Sequence, residues 1–186
     1  MFLDTGAVDN PAMRIHEHAV TTATPTRAWE LIADPSLHGR WNSHIVETQA
    51  TSSGSAGVGY RYRVTYELSG RRSEFDAVIT EFAAPSRYSA RLEERLKGDG
   101  SNFQRFMVET YVLTRRRGKT NVDHEVLIHH PGINPFLRGL IWLIMKIGRP
   151  VGQPMLAKFA ELAEGAAAGA VAAARSPGPG PVGSRS

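Results

Sequence analysis

Between Tyr60 and Val126 a single register requirement governs how the chain can fold. Tyr60, Tyr62, Val64, Tyr66 and Leu68 alternate with polar neighbours and form one face of a strand. Facing residues of an antiparallel pair share a side of the sheet, and a slip of one residue reverses that side. A two-residue turn at Ser69-Gly70 pairs this set with Ile79, Ala77, Phe75, Ser73 and Arg71. A loop at Ala83 to Ser86 sets Ile79 opposite Ala90 and Ala77 opposite Leu92, and a longer loop at Lys97 to Asn102 sets Leu96 against Phe103 and Leu92 against Met107. An Arg117-Gly118 turn matches Leu113 with Val122, Tyr111 with His124 and Glu109 with Val126. All four connections put the apolar residues on the same face, which predicts an antiparallel sheet that is lined on one side and needs a cover.

The cover is expected from Asn134 to Ala174, the one segment long enough for a principal helix and dense in large aliphatics. Asn134 can cap the first turn and Pro135 suits the first helical position, where no N–H is needed. From Phe136 to Ile147 apolar residues nearly encircle the axis, leaving a narrow stripe of Arg138, Trp142, Lys146 and Arg149. Gly148, Pro150, Gly152 and Pro154 interrupt the helix. It resumes with Met155, Leu156, Phe159, Leu162, Ala163, Ala166 and Ala170 on one face and Lys158, Glu161 and Glu164 opposite. The break predicts a first half that forms a cavity mouth or gate and a second half that packs the core.

Upstream, Met13 to Thr22 reads as a strand, Thr24-Pro25 starts a short helix carrying Trp29, Leu31 and Ile32, and Asp34-Pro35 starts another that ends near Trp41. Both tryptophans are expected to pack these helices. Ile45 to Thr51 is a second strand, which brings the sheet to about seven, and the small residues from Ser52 to Gly59 follow it. Residues 1–11 read as a loose leader, 12–174 as one domain and 175–186 as a disordered tail rich in Ser, Pro and Gly.

Composition excludes some chemistry. There is no cysteine, hence no disulfide, thiol catalysis or cysteine-ligated metal. The net charge of +4 falls to +2 without Arg175 and Arg185, so the charge balance gives no reason to expect nucleic acid as a partner. Tyr60-Arg61-Tyr62-Arg63 mixes aromatic and basic residues, but in a strand the two types point to opposite faces. No glycine-rich nucleotide loop occurs. The start of the sequence lacks the blocks of a signal peptide, and the apolar run at 136–147 is too short and too charged to span a bilayer comfortably, so a cytoplasmic protein is expected.

Strand, two short helices, six antiparallel strands and a long C-terminal helix resemble the helix-grip fold of the START-like, or SRPBCC, superfamily, in particular its polyketide cyclase/dehydrase branch. The residues that carry the resemblance are Thr24-Pro25 with Ala28-Trp29 before Asp34, Trp41, the Gly57 to Tyr60 lead into the third strand, Gly118 with Thr120, and His130-Pro131-Gly132. The resemblance implies an α+β fold with a curved sheet around the final helix and an elongated apolar cavity between them. It also implies a cofactor-independent protein that acts on a hydrophobic carbonyl compound by substrate folding and acid–base assistance, or else a lipid, quinone or similar carrier.

Polar residues on the inward face are then the site candidates. Tyr60, Tyr62, Tyr66, Tyr88 and Tyr111 offer phenols, and Glu94, Arg105, Glu109 and His124 are ionisable. Glu94 and Arg105 fall opposite each other and read as a structural ion pair that also lines the site with Met107 and Trp142. Glu109 and His124 lie diagonally across one hairpin with Tyr111 beside His124, so the carboxylate could orient the imidazole as a general base. The alternative is a core histidine with satisfied nitrogens and a Glu109 that reaches solvent. His16 and His18 share a strand face in the neighbourhood of His124 and His130, but with no carboxylate supplied they read as solvated histidines, and no metal is expected. Arg115, Arg116 and Arg117 read as a solvated hairpin tip. Trp142 among its cations suits a membrane surface as well as a gripped helix with an exposed stripe, and the gripped helix is the expectation.

Overall fold

The computed structural model describes residues 13–68, 70–95, 106–129 and 156–165. Seven strands form one curved antiparallel sheet: β1 (Met13–Thr21), β2 (Ile45–Ala50), β3 (Arg61–Leu68), β4 (Arg71–Ala83), β5 (Arg87–Glu94), β6 (Phe106–Arg116) and β7 (Lys119–His129). Their spatial order, β1-β7-β6-β5-β4-β3-β2, is a meander from β2 to β7 closed by the first strand pairing with the last. The link from β1 to β2 therefore crosses the width of the sheet. It is made of α1 (Pro25–Ala33), a 3-10 turn at Pro35–Leu37 and α2 (His38–Trp41).

The expected hairpin registers are present among the described residues, and the Leu96–Phe103 pair lies outside them. Tyr62 faces Ala77 and Val64 faces Phe75; Ile79 faces Ala90 and Leu92 faces Met107; Tyr111 faces His124 and Glu109 faces Val126. The Arg117-Gly118 turn has positive φ at both residues, 49° and 79°, as a two-residue hairpin turn that matches the twist of its strands requires. Bulges interrupt β2–β3 between Ile45 and Glu47 and β4–β5 between Ile79 and Glu81. Past the second bulge Tyr88 still reaches the interior, opposite Phe82.

The caps act as the sequence suggests: Thr24 Oγ1 accepts from Arg27 N at 3.3 Å and Asp34 Oδ1 from Ser36 N at 2.9 Å. Of the long C-terminal segment, the described part is a helix, α3, over 156–165. Leu156, Phe159 and Ala163 are buried on the sheet while Lys158, Glu161 and Glu164 face out. Phe159 meets the Trp41 ring edge-on at 5.4 Å, which joins the two helical layers over the sheet. Glu164 also fastens α3 to the end of β1, accepting from Thr22 N at 2.8 Å and Thr21 Oγ1 at 3.1 Å. Those bonds favour the ionised form and hold its carboxyl below the usual range. Residues 134–155, with the expected mouth or gate, the leader at 1–11 and the tail at 175–186 lie outside the described residues.

Two expectations are corrected. Arg115 is not merely part of a solvated tip: its Nη1 donates to Ala23 O at 3.1 Å and to Thr120 Oγ1 at 3.3 Å, and Thr120 Oγ1 donates to the same carbonyl at 2.6 Å. Because Arg115 shares the inward parity of Tyr111 and Leu113, the end of its side chain meets the turn before α1. His16 and His18 occupy the outer face of β1, on the opposite side from His124, and converge on Asp123 Oδ1 at 3.7 and 2.9 Å. Among the described residues no group of three or more His, Cys, Asp or Glu side chains is placed to hold a metal ion.

Candidate functional site

Strands β1, β3, β5, β6 and β7 carry inward polar side chains, and the registers decide which of them meet. Tyr62 and Tyr88, buried on β3 and β5, place their hydroxyls 3.2 Å apart. Tyr66, four residues along β3, donates its hydroxyl to Glu109 Oε1 on β6 at 2.9 Å. Glu109 is only 5% exposed, so this bond from a neutral donor to a buried carboxylate supports a charge that would otherwise be expensive to enclose. Burial raises the pKa of Tyr62, Tyr66, Tyr88 and Tyr111, and the nearby Glu109 carboxylate pushes each in the same direction. All four phenols therefore remain protonated at neutral pH and act as hydrogen-bond donors rather than bases.

His124 is 3% exposed, and its ring lies flat against that of Tyr111, with centroids 4.3 Å apart and planes 10° from parallel. Neither ring nitrogen makes a hydrogen bond among the described residues. The pairing with Glu109 read from the sequence is corrected, because the carboxylate within ion-pair distance of His124 is that of Glu17 on β1, Oε2 to Nδ1 3.7 Å, while Glu109 is engaged by Tyr66. Glu17 and His124 are direct partners in the β1–β7 register.

A second histidine was not singled out from the sequence. His38, 2% exposed in α2, places Nε2 2.8 Å from Ile32 O, among the rings of Trp41, Tyr62 and Tyr88. Since a carbonyl only accepts, Nε2 carries the proton. Burial lowers its pKa against the opposing pull of the Ile32 carbonyl and the Glu109 carboxylate. His38 thus belongs to the interior as a neutral ring, and its sequence signal was its place three residues before Trp41 on the same helical face.

The other candidates stand apart from this group. Tyr60 is half-buried beside the core, its carbonyl accepting from Ile79 N at 3.0 Å, and Met107 packs against the core opposite Leu92. Glu94 is half-buried at the end of β5 opposite Phe75. Arg105 and Trp142, and with Arg105 the proposed ion pair to Glu94, lie outside the described residues. No helix among the described residues is long and apolar enough to cross a membrane.

Taken together, the inward face offers donors that stay protonated, a carboxylate already bonded, and a buried imidazole, that of His124, with no hydrogen bond among the described residues. A family model described as polyketide cyclase / dehydrase and lipid transport matches residues 13–174. No curated protein sequence matches. Similar solved structures include a Thermus thermophilus protein, with TM-score 0.60 and 16% identity over 83% of this chain and 99% of that one. A START superfamily protein from Mycobacterium smegmatis gives TM-score 0.56 and 13% identity over 82% and 98%. A Chromobacterium violaceum protein gives 0.54 and 21% over 81% and 96%. At these identities the likeness is one of fold, and the fold is the helix-grip of START-like proteins.

Proposed function

The chain belongs to the polyketide cyclase/dehydrase and lipid transport family, and from that premise we propose that it binds a hydrophobic, carbonyl-containing small molecule against the inward face of its sheet and promotes proton transfer on it without a cofactor. The observation that supports this reading is the His124 imidazole, buried, stacked on Tyr111 and without a hydrogen bond among the described residues. A neutral imidazole there can take a proton from the carbon alpha to a carbonyl. The C–H electron pair becomes the enolate double bond, and the carbonyl oxygen takes up the charge, which a protonated phenol such as that of Tyr111 can stabilise. Glu109, held by Tyr66, contributes a fixed negative charge to the lining rather than a partner for His124. Apolar enclosure selects the ligand class, and holding the ligand in a fixed shape supplies the orientation that ring closure or loss of water requires.

A second reading is a carrier that only holds its ligand. The Tyr66–Glu109 and Tyr62–Tyr88 bonds favour it, because these four polar side chains are paired within the protein and need nothing from a substrate. Incubation with 2-tetralone, a bicyclic ketone, in D2O separates the two. The catalytic reading expects deuterium uptake at the alpha carbons, read by mass spectrometry, that His124→Ala abolishes. Ketone that binds but returns with only the buffer level of deuterium selects the carrier.

A further inference from the structure

On β1 the sequence alternates Ile15, Glu17, Ala19 inward with His16, His18, Val20 outward, so Glu17 is the one ionisable residue that this strand sends to the inner side. The register sets it directly across from His124. Its Oε2 lies 3.7 Å from His124 Nδ1, close enough for charge attraction but beyond hydrogen-bond length. Oε2 and Nδ1 are both buried, and neither has another hydrogen-bond partner among the described residues. Two buried polar atoms facing each other, each able to satisfy the other after a small side-chain rotation, form a pair whose closing removes two unmet groups at once.

The other groups around His124 are committed elsewhere. On β6, Glu109 accepts from Tyr66, and Tyr111 presents its ring face to the imidazole. On α2, His38 is fixed on Ile32 O, and on the outer side of β1 and β7 both His16 and His18 turn to Asp123.

We propose that Glu17 is the positioning residue of His124: its carboxylate takes the Nδ1 proton in a hydrogen bond, fixes the imidazole with a bare Nε2, and thereby tunes the site for ligands that bring a phenolic or enolic O–H to that nitrogen. This rests on the reading of the inward face as a site for hydrophobic carbonyl compounds, and it narrows that class to those that also carry a phenolic or enolic hydroxyl. A ligand with only a carbonyl or ether oxygen would meet a lone pair at Nε2 and gain no hydrogen bond there. The tautomer is set by whatever the first nitrogen binds, which is why a carboxylate on another strand can decide what the second nitrogen recognises.

The test uses the full chain labelled with 15N. Long-range proton–nitrogen correlation spectra identify the tautomer of His124, and calorimetric titration compares 2-naphthol with 2-methoxynaphthalene, two probes of nearly equal apolar body of which only the first has an O–H. The expected result is the Nδ1–H tautomer, with naphthol bound about tenfold more tightly, the worth of one hydrogen bond. Glu17→Ala should shrink the preference to about twofold or less and release the tautomer. Glu17→Gln, whose amide oxygen still accepts, should keep both; a carboxylate serving only the stability of β1 would give no such rescue. An Nε2–H tautomer in the unmodified protein, or an undiminished preference in Glu17→Ala, overturns the proposal. If neither naphthalene binds while the tautomer is Nδ1–H and depends on Glu17, the pairing stands and the ligand reading fails.

Discussion

Removing the Tyr66 hydroxyl tests how the interior tolerates Glu109. In Tyr66→Phe the ring stays in its place on β3 and one oxygen is lost, the one that donates to Glu109 Oε1 at 2.9 Å. A hydrogen bond to a charged group contributes about 1.5–3 kcal/mol, and this carboxylate is only 5% exposed, so water can replace little of the loss. The expected destabilisation is about 2 kcal/mol, which for a chain of this size lowers Tm by roughly 4–8 °C. Urea unfolding at pH 7 would show the midpoint moving while the slope stays the same. Adding Glu109→Met removes the stranded carboxylate, so the double variant should be no less stable than Tyr66→Phe alone, because replacing both partners by apolar groups is close to neutral. A loss below about 0.5 kcal/mol in Tyr66→Phe, or a double variant that loses the full sum of the two singles, would show that the two groups are not coupled and refute the account.

The lowered pKa of His38 gives a pH dependence of definite sign. The unfolded chain takes up a proton at this residue near pH 6.5 and the folded chain only at lower pH, so the stability it contributes is complete above about pH 6.5 and falls away as the pH drops through the folded-state value. Urea unfolding from pH 8 to pH 5 should show this fall and His38→Leu should reduce it; equal slopes in both proteins would assign the effect to other groups. Phe159→Ala removes a side chain with no exposed surface that packs edge-on with Trp41, and the expected loss is about 3–5 kcal/mol by the same measurement. A loss under 1 kcal/mol would mean that α3 is not seated as described.

The sheet was legible because its strands are joined by short connections, and a short connection turns alternation into register. Tyr111 opposite His124 follows from Arg117-Gly118 alone, and the stacking of their rings follows from that register. The face of β1 was not legible in the same way. No turn joins it to β7, and with Ile15 and Ala19 on one side and Val20 on the other, its hydrophobic pattern is weak. Glu17 was therefore hidden and Glu109 took its place in the reading, although Glu109 is held by a tyrosine from β3, three strand positions away in the sheet order. His38 was hidden for a different reason: a polar residue in a one-turn helix looks exposed until the sheet beneath it is in place. The fold thus follows from local parity, while the pairings inside it depend on contacts between strands remote in sequence.

The pairing of β1 with β7 also fixes an order of events. Met13 lies opposite Ile128, 115 residues later, and Glu17 can meet His124 only when that long closure is made. At a synthesis rate of roughly 5–20 residues per second, the first strand waits on the order of 6–23 s with its edge open before its partner exists. The meander from β2 to β6 can form meanwhile from neighbouring hairpins, and β7 adds to it by a local turn, so the seam between first and last strands is the slow, nonlocal step of folding. A nascent or refolding chain would acquire most of its sheet before Glu17 reaches His124. Recovery of the His124 tautomer signal should consequently lag behind recovery of strand content, making completion of the chain a precondition for its chemistry.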